Sequence, residues 1–433
     1  MDHLLICVGT ALLIQRNVQQ KQSNNTPSRP TVDLKTVQHL LSSKYGISGN
    51  SHIKDLPSYD DLNFHIVLHS GEEFVLKFNL STAHGEDLRL ENIAMQHLSQ
   101  DANDPTLTNF IPKVMPLATA KNANMFVHQA DSGRTYYVRL LTYMKGSLLA
   151  HVPFPLRTHA LLHSVGSMLG RCDRSFANHP TGRAFPTKYT KIASERDHFW
   201  DLRNAMRLEQ LSAHVAHTND RALLQQAFQL FHTNAHHLLQ NNANTDTIRR
   251  QVTHNDGNDH NIIVQQHAGK NGATSFSLVG LIDFGDLVHT SLVCNLAISL
   301  AYCCCNPDIP FEQSRRRHQH STGTGTAAVK EEHNNGENNA LLDYALNTAV
   351  AVVEGYQQEM PLTLEELNVL WWCMVGRICH SLASSAHRQT LEPDNAYLTV
   401  SEQPFWKLLY ALSYPSFETN AVKATTLFKS VLR

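Results

Sequence analysis

Two short polar motifs, each joined to an apolar segment, constrain the fold of this chain more than any other feature. Residues 252–264 read VTHNDGNDHNIIV, and residues 281–288 read LIDFGDLV. The first motif contains the pattern H-x-D-x-x-x-x-N, formed by His254, Asp256 and Asn261. The second is an Asp-Phe-Gly triplet at the end of an apolar run. The apolar segments beside them, NIIV (261–264) and FSLVGLI (276–282), predict two short strands that flank the polar residues.

The residue types in these motifs suit phosphoryl transfer. Asp256 is the candidate catalytic base, because a carboxylate can accept the proton of a hydroxyl group while aiming its oxygen at a γ-phosphate. Asn261 and Asp283 are candidate Mg²⁺ ligands, since Mg²⁺ favours one or two carboxylates beside phosphate oxygens and water. We assign His254 a structural role in the loop. A turn rich in Asn, Asp and Gly also forms without any catalytic role, but the strand context and the second motif together favour a kinase.

Two residues of the first third of the chain complete this set. Lys77 lies near the end of the second strand of a predicted hairpin, where it can reach the phosphates of a nucleotide, and Glu91 lies on the predicted helix 86–100, where it can pair with that lysine. Each residue alone is unremarkable, and their order along the chain gives them weight. The hairpin has no G-x-G-x-x-G loop. Ser58 is the one phosphate-binding candidate in the loop 57–61, whose two aspartates are expected to cap the turn.

The acceptor site is less defined by the sequence. The motifs are rich in carboxylates, which suits a cationic acceptor. Asp286 is the candidate for binding an ammonium group, with the alternative that it caps a helix beginning near Leu287. Arg377 is a charge in an apolar helical stretch, WWCMVGRICHSL. It is a candidate for binding a substrate carboxylate, with the alternative that it pairs with an internal acid.

The distribution of strands and helices predicts an α+β chain of two lobes. Residues 1–31 read as a disordered or accessory tail, 32–138 as a nucleotide-binding lobe of antiparallel sheet plus helix, and 139–146 as a hinge. The rest, 147–433, reads as a mainly helical lobe with the catalytic loop and the substrate site, interrupted by a disordered insertion at 306–339. Amphipathic stretches predict its long helices near 157–177, 219–242, 287–304, 341–358 and 363–388.

The amino-acid composition argues against two classes of binding partner, nucleic acids and membranes. The 36 Lys and Arg residues nearly balance the 38 Asp and Glu residues, which argues against a surface for nucleic acid. The apolar run 4–14 is too short to span a bilayer, so no membrane partner is expected. The chain has no C-x-x-C pair, and Cys303, Cys304 and Cys305 are predicted to be buried as small apolar residues. A reducing compartment is therefore the default.

The motifs together resemble a known family. The segments LPSYDDLNFHI (56–66), FVLKF (74–78), YVRLLTYMKG (137–146), HNDGNDHNIIV and GLIDFGDLV are similar to those of the aminoglycoside phosphotransferase and choline kinase-like family, in its hydroxylysine kinase branch. The likeness runs from about residue 32 to residue 430. It implies a protein-kinase-like fold and transfer of phosphate from GTP or ATP to the hydroxyl of 5-hydroxy-L-lysine. The resemblance also implies that the protein is a cytoplasmic enzyme of lysine degradation. A mitochondrial location is the minor alternative.

By motif position, the resemblance implies that Asp256 is the base, that Asn261 and Asp283 bind Mg²⁺, and that Lys77 and Glu91 position the phosphates. Two alternatives stay open at this point. The acceptor can be another hydroxylated amine, such as choline, ethanolamine or an aminoglycoside-like compound. The chain can also be a catalytically impaired relative that binds nucleotide without turnover.

One departure from the family pattern motivates that last alternative. The related pattern is His-Gly-Asp-Leu, whereas this chain has Asn255 in place of the glycine and Gly257 in place of the leucine. Asparagine tolerates a left-handed backbone better than most residues, so the turn is expected to survive. Loss of the leucine side chain behind the base is expected to loosen the loop.

Overall fold

The computed structural model describes residues 32–49, 51–56, 61–80, 85–120, 122–130, 133–177, 184–240, 247–269, 272–305, 327–392 and 402–432. The chain divides into two compact units. Unit 1 comprises Met1–Gly85 and Val114–Tyr143, and unit 2 comprises Glu86–Lys113 and Met144–Arg433. The segment 86–113, which the sequence assigned to the first lobe, is therefore part of unit 2.

Unit 1 is an antiparallel sheet with one helix. The helix α1 spans Leu34–Tyr45 and is followed by Gly46, whose left-handed backbone (φ 68°) ends it. The strands are β1 (Ser51–Leu56), β2 (Leu62–Leu68), β3 (Glu73–Leu80), β4 (Met125–Gln129) and β5 (Thr135–Thr142). They pair in the order β1-β2-β3-β5-β4, and every pair is antiparallel.

The core of unit 1 follows from the alternation along its strands. Phe64 and Ile66 of β2, and Leu76 and Phe78 of β3, point to the same face and are fully or almost fully buried. The apolar stripe of α1, which includes Val37, packs against them. The sheet-plus-helix architecture predicted from the sequence is confirmed.

Unit 2 is mainly helical. Its α-helices in the described ranges are α2 (Gly85–Ser99), α3 (His159–Phe176), α4 (Thr187–Glu195), α5 (Thr218–Phe231), α6 (His237–Gln240), α7 (Leu292–Cys303), α8 (Ala327–Glu359), α9 (Leu364–Leu391), α10 (Glu402–Ser413) and α11 (Phe417–Ser430). A π-helical turn, His232–His236, joins α5 to α6. Tighter 3₁₀ turns lie at Pro105–Asn109, Leu149–His151, Phe154–Leu156 and Leu202–His214. The predicted α+β fold class is confirmed.

Helices α3 and α8 pack closely enough that their backbones touch. A Cβ atom at Gly166 would lie 1.9 Å from the carbonyl oxygen of Val352, and one at Gly355 would lie 1.9 Å from the carbonyl oxygen of His163. Only glycine fits at such distances. This close crossing fixes α3 beside α8.

Two small sheets bring the polar motifs together. The strands β6 (Ser147–Leu148), β8 (Ile262–Ala268) and β9 (Thr274–Leu281) form one sheet, and β7 (Arg250–Thr253) pairs with β10 (Val288–Ser291) in the other. Ile262 lies opposite Leu281 in the antiparallel β8–β9 pair. The two polar motifs therefore sit at the same end of this pair: the first ends just before Ile262, and the second begins just after Leu281.

Three predicted boundaries differ from the structure. Strand β5 continues to Thr142, so the first residues of the predicted hinge are strand. The stretch predicted as one helix at 287–304 begins instead with strand β10, and its helix starts at Leu292. Helix α8 starts at Ala327, so the end of the insertion predicted to be disordered is helical, and 306–326 lies outside the described residues.

Two features of composition are visible in unit 2. Cys303, Cys304 and Cys305 are buried, which confirms that they act as small apolar side chains. None of the helices in the described ranges combines the length and the apolar character that crossing a bilayer requires.

Candidate active site

His254 ties the two polar motifs to each other. Its Nε2–H donates to the carbonyl oxygen of Ile282 (3.1 Å), and its Nδ1 accepts the backbone N–H of Asp256 (3.2 Å). The ring also contacts the edge of Phe284, with the ring centroids 4.6 Å apart. Burial lowers the pKa of His254 to about 4, so the imidazole is neutral near pH 7. The structural role predicted for His254 agrees with these contacts.

The carboxylate of Asp256 is held by two amides of its own loop. Asn261 donates its Nδ2 to Asp256 Oδ2 (2.6 Å) and to the Asp256 carbonyl oxygen (3.0 Å), while Asn258 donates its Nδ2 to Oδ1 (2.9 Å). Because the amide nitrogen of Asn261 faces Asp256, its amide oxygen faces away from that carboxylate. The loop thus orients a carboxylate and an amide oxygen together.

The ionisation of Asp256 is strongly shifted by its surroundings. Burial and the negative charge of Asp286 raise the pKa of Asp256 well above its usual range, and Asp283 adds to this shift. The positive charge of Arg377 opposes it, with Nη2 at 3.6 Å from Asp256 Oδ1. A carboxyl group with a raised pKa accepts a proton more readily, which is what a general base requires.

The residues just before Asp256 and at the start of the Asp-Phe-Gly triplet adopt unusual backbone conformations. Asn255 (φ 61°) and Asp283 (φ 63°) are the non-glycine residues with left-handed backbones in the described ranges. Such conformations cost free energy and concentrate at functional sites. The expectation that asparagine would preserve the turn at Asn255 agrees with the left-handed backbone observed there.

A buried polar network anchors this turn, and its role was not predicted from the sequence. The backbone N–H of Asn255 donates to Asn295 Oδ1 (2.9 Å), and Asn295 Nδ2 donates to both carboxylate oxygens of Asp173 (3.1 and 2.9 Å). Tyr356 donates its hydroxyl to Asp173 (2.7 Å). Burial raises the pKa of Asp173 to about 7. The signal available in the sequence was Asn295, a polar residue in the otherwise almost entirely apolar helix α7; Asp173 lies in α3, which carries several other polar residues.

The structure corrects the expectation that Gly257 leaves the loop loose. A Cβ atom at Gly257 would lie 2.4 Å from Ser299 Oγ and 3.1 Å from Leu169 Cδ2. Ser299 also donates its hydroxyl to the Gly257 carbonyl oxygen (2.6 Å). The space behind the base is therefore filled by side chains from α3 and α7, and glycine is the residue that fits there.

The arrangement of Asn261 and Asp283 suits a hard cation. The Ile282 N–H donates to the Asn261 carbonyl oxygen (2.9 Å), which extends the β8–β9 ladder to the residue before Asp283. Asp283 is solvent-exposed, and the Asn261 amide oxygen faces away from Asp256. An amide oxygen and a carboxylate at one end of a strand pair are ligands of the type Mg²⁺ favours. Both residues therefore fit the predicted metal site.

Asp286 lies close to the base but has partners of its own. Its Oδ1 is 3.3 Å from His198 Nε2. Burial raises the pKa of Asp286, but the hydrogen bond and charge of His198, with Arg377 and Arg196, outweigh burial and hold that pKa below its usual value. No helix begins at Leu287, since strand β10 follows, so the helix-cap alternative is wrong. The ammonium-binding role stays a prediction.

Arg377 lies on α9 and is brought to the base. It is 2% exposed, donates its Nη2 to the Tyr302 hydroxyl (3.3 Å), and stacks over the Trp200 ring at 4.6 Å. Its contact with Asp256 matches the alternative of pairing with an internal acid. Carboxylate binding remains a separate prediction.

Asp259 turns out to be neutralised locally. It pairs with Arg157, whose Nη2 lies 3.4 Å from Asp259 Oδ2, and its carbonyl oxygen accepts the N–H of Ala150 (2.9 Å). The carboxylates whose charges raise the pKa of Asp256 are therefore Asp286 and Asp283 rather than this nearer neighbour in sequence.

The nucleotide-binding candidates are distributed over both units. In unit 1, Lys77 Nζ lies 3.9 Å from Asp61 Oδ2, which also accepts a hydrogen bond from Asn79 (2.6 Å). Glu91 is buried on α2 in unit 2. The pairing of Lys77 with Glu91 stays a prediction. Ser58 lies outside the described residues.

Comparison with known proteins gives this geometry a context. A model of the phosphotransferase enzyme family matches residues 52–331, more than half of the chain. The chain is 26% identical to a hydroxylysine kinase of Xenopus laevis, over 89% of this chain and 91% of that one. It is likewise 26% identical to a hydroxylysine kinase of Bos taurus, over 90% and 91%.

Solved structures show the same fold at lower sequence identity. A microcompartment-associated aminopropanol kinase matches with a TM-score of 0.57 and 12% identity, over 90% of this chain and all (100%) of that one. An amicoumacin kinase in complex with AMP-PNP and Ca²⁺ matches with a TM-score of 0.56 and 13% identity, over 87% and 93%. The predicted kinase-like fold is thereby confirmed.

Proposed function

This chain belongs to the phosphotransferase enzyme family, and from that membership we propose that it transfers the γ-phosphate of a nucleoside triphosphate to the hydroxyl group of 5-hydroxy-L-lysine. Similarity to hydroxylysine kinases over about nine-tenths of both chains supports this acceptor. We further propose that GTP serves as donor, with ATP as the alternative, and that the enzyme acts in lysine degradation in the cytoplasm.

The observation that carries the proposal is the environment of Asp256. Two loop amides orient its carboxylate, and burial beside Asp286 raises its pKa. In the reaction, the acceptor oxygen attacks the γ-phosphorus and the bond from that phosphorus to the leaving diphosphate oxygen breaks. Asp256 accepts the proton of the acceptor hydroxyl. The products are a nucleoside diphosphate and the phosphorylated acceptor.

The remaining candidate residues would bind the phosphate donor, its metal ion and the acceptor. Asn261 and Asp283 would hold Mg²⁺, which neutralises charge on the triphosphate when it is bound. We also propose that Lys77 contacts the phosphates and that Glu91 is its ion-pair partner. Asp286 would bind an ammonium group of the acceptor, since a carboxylate held in its ionised form by His198 gains most from a cationic ligand.

The proposal is tested by incubating the purified protein with Mg²⁺, GTP or ATP, and a panel of acceptors. The panel contains 5-hydroxy-L-lysine, choline, ethanolamine and an aminoglycoside, and mass spectrometry identifies the phosphorylated product. We expect phosphohydroxylysine and a nucleoside diphosphate in equal amounts. The matched control is Asp256→Asn, which keeps the size of the side chain and removes the base. Product formation at the rate of that control with every acceptor would contradict the proposal.

The panel also separates the rival acceptors. Turnover of choline, ethanolamine or an aminoglycoside without turnover of hydroxylysine would leave phosphotransfer standing and change the substrate. A catalytically impaired relative would be stabilised against heat by Mg²⁺ and nucleotide without transferring phosphate to any acceptor. The filled space behind Gly257 and the intact contacts of Asp256 favour turnover over impairment.

A further inference from the structure

The buried surroundings of Arg377 contain hydrogen-bonding capacity that the protein does not use. The guanidinium group stacks over the face of Trp200 at 4.6 Å and lies 5.6 Å from the ring centroid of Tyr302. Stacking uses the face of the group and leaves its N–H donors at the edges directed elsewhere.

Few of those donors have partners. Nη2 donates to the Tyr302 hydroxyl (3.3 Å), and its distance of 3.6 Å from Asp256 Oδ1 is too long for a good hydrogen bond. Nε and Nη1 are buried without a hydrogen-bond partner among the residues that the structure describes. Burying guanidinium donors without acceptors costs free energy. An anionic ligand is therefore expected to accept hydrogen bonds from these N–H groups.

His380, one helical turn further along α9, is a second buried side chain with unused hydrogen-bonding atoms. It is fully buried, and neither ring nitrogen has a hydrogen-bond partner within the described parts of the chain. Its ring stacks on Trp200 with centroids 4.9 Å apart and an interplanar angle of 29°, and it meets Phe199 edge-to-face at 5.2 Å. Burial holds the pKa of His380 well below its usual value, so the ring is neutral and keeps one N–H donor.

We propose that Arg377 binds the carboxylate of the acceptor, with His380 as a second contact and the rings of Trp200 and Phe199 against the aliphatic part. The inference rests on the proposed function, because it requires an acceptor that is a hydroxylated amino acid. Arg377 lies beside Asp256, and the space next to the base is where the acceptor hydroxyl must lie. A planar carboxylate on a short chain suits a planar guanidinium flanked by aromatic rings. Asp286, whose charge acts on both Asp256 and Arg377, leaves the acceptor's ammonium group a partner of its own.

The test compares two acceptors that differ only at the carboxylate. These are 5-hydroxy-L-lysine and its carboxamide, assayed with the wild type, Arg377→Gln and Arg377→Lys. We expect the wild type to prefer the acid in kcat/KM by roughly 10- to 100-fold, the range expected for hydrogen bonds to a charged group. Arg377→Gln should lower that preference to about 1, and Arg377→Lys should retain part of it.

This ratio separates carboxylate binding from an effect on the base. If Arg377 acts only through Asp256, the variant slows both acceptors by the same factor and the preference is unchanged, which would overturn the inference. If Arg377 binds the phosphates of the donor instead, KM for the nucleotide rises in the variant and the preference between acceptors again stays constant. Arg388→Gln is the matched control, since Arg388 lies on the same helix near the same Trp200 ring (5.9 Å), and it should keep the wild-type preference.

Calorimetric binding makes the inference independent of turnover. The wild type should bind the acid more tightly than the carboxamide by a similar factor, and Arg377→Gln should not, with melting temperatures reporting that each variant is folded. Equal affinity for the two acceptors, or binding of neither, would overturn the inference. Phosphorylation of both acceptors at equal rates would overturn it while leaving the proposed phosphotransfer intact.

Discussion

The side-chain oxygen of Asn295 accepts the backbone N–H of Asn255 over 2.9 Å, although the two residues are far apart in sequence. Asn255 has a left-handed backbone (φ 61°) and directly precedes the candidate base Asp256. The bond therefore joins helix α7 to the strained turn that sets the direction of the base. Asp173 and Tyr356 fix Asn295 in turn, so three helices hold one peptide group in place.

Replacing Asn295 with leucine should weaken this anchor. The Asn255 N–H would be left buried without a partner, which costs about 1–3 kcal/mol in the free energy of unfolding. Because the turn positions Asp256, we also expect kcat to fall by roughly 10- to 100-fold. Urea denaturation and initial-rate kinetics measure the two effects on the same preparation.

The control for that variant is Asn420→Leu. Asn420 is also buried and donates to the carbonyl oxygens of Leu412 (2.9 Å) and Tyr414 (2.8 Å), in the turn between α10 and α11. Its loss should lower stability by a similar amount and leave kcat of the folded enzyme unchanged. A comparable fall in kcat in both variants would show that the Asn295 effect is general destabilisation.

Enlarging Gly257 should damage the loop rather than strengthen it. In Gly257→Ala the new methyl group meets Ser299 Oγ and Leu169 from two sides. Overpacking of this kind costs about 1–3 kcal/mol, with a loss of activity, and Gly257→Leu should be worse. Adding Ser299→Ala to Gly257→Ala removes the closest contact and should recover part of the melting temperature. If Gly257→Leu is instead more active than the wild type, the packing described behind the base is wrong.

Much of this site could be predicted from the sequence because its chemistry is local. The motif that contains His254, Asp256 and Asn261 is a few residues long, and its apolar flanks predict the strands that hold it. Asp283 follows the next strand, and pairing of the two strands then places both motifs together. Such patterns depend on spacing and on the period of strands, which the sequence displays directly.

The features that were not predicted depend on contacts between segments that are far apart in sequence. Asp173 and Asn295 read as ordinary polar positions until α3 and α7 are packed together, and nothing local identifies the peptide group that they support. The strands β7 and β10 have only four residues each and adjoin the polar motifs, so their alternation is too short to predict them. Gly257 looked like a loss of packing because its neighbours, Leu169 and Ser299, lie on other helices. Tertiary packing decides all of these features.

The pH dependence of kcat/KM should report the raised pKa of Asp256. A base must be ionised in the free enzyme, so activity falls as pH drops through its pKa. Burial and the charge of Asp286 raise that pKa, which places the acid limb of the profile above the range of an ordinary aspartate. Asp286→Asn removes one negative neighbour, lowers the pKa of Asp256, and should move the acid limb to lower pH by on the order of one unit.

Asp259→Asn is the matched control for the pH experiment. Asp259 lies in the same loop but pairs with Arg157, so its replacement should lower the melting temperature and leave the acid limb where it is. An acid limb that stays in place in Asp286→Asn, or that shifts equally in both variants, would contradict the assignment of Asp256 as the titrating base.

Removal of one candidate metal ligand should change the requirement for Mg²⁺. Asp283→Asn keeps the shape of the side chain and removes its charge, so the Mg²⁺ concentration that gives half-maximal activity should rise by about tenfold or more. Asp197→Asn serves as the control, because Asp197 is half-exposed and pairs with Arg207 (2.8 Å). Titration of Mg²⁺ at saturating nucleotide, after treatment with EDTA, measures the effect. Parallel titration curves for Asp283→Asn, Asp197→Asn and the wild type would exclude Asp283 as a ligand. A rise seen only in Asp283→Asn would support the assignment.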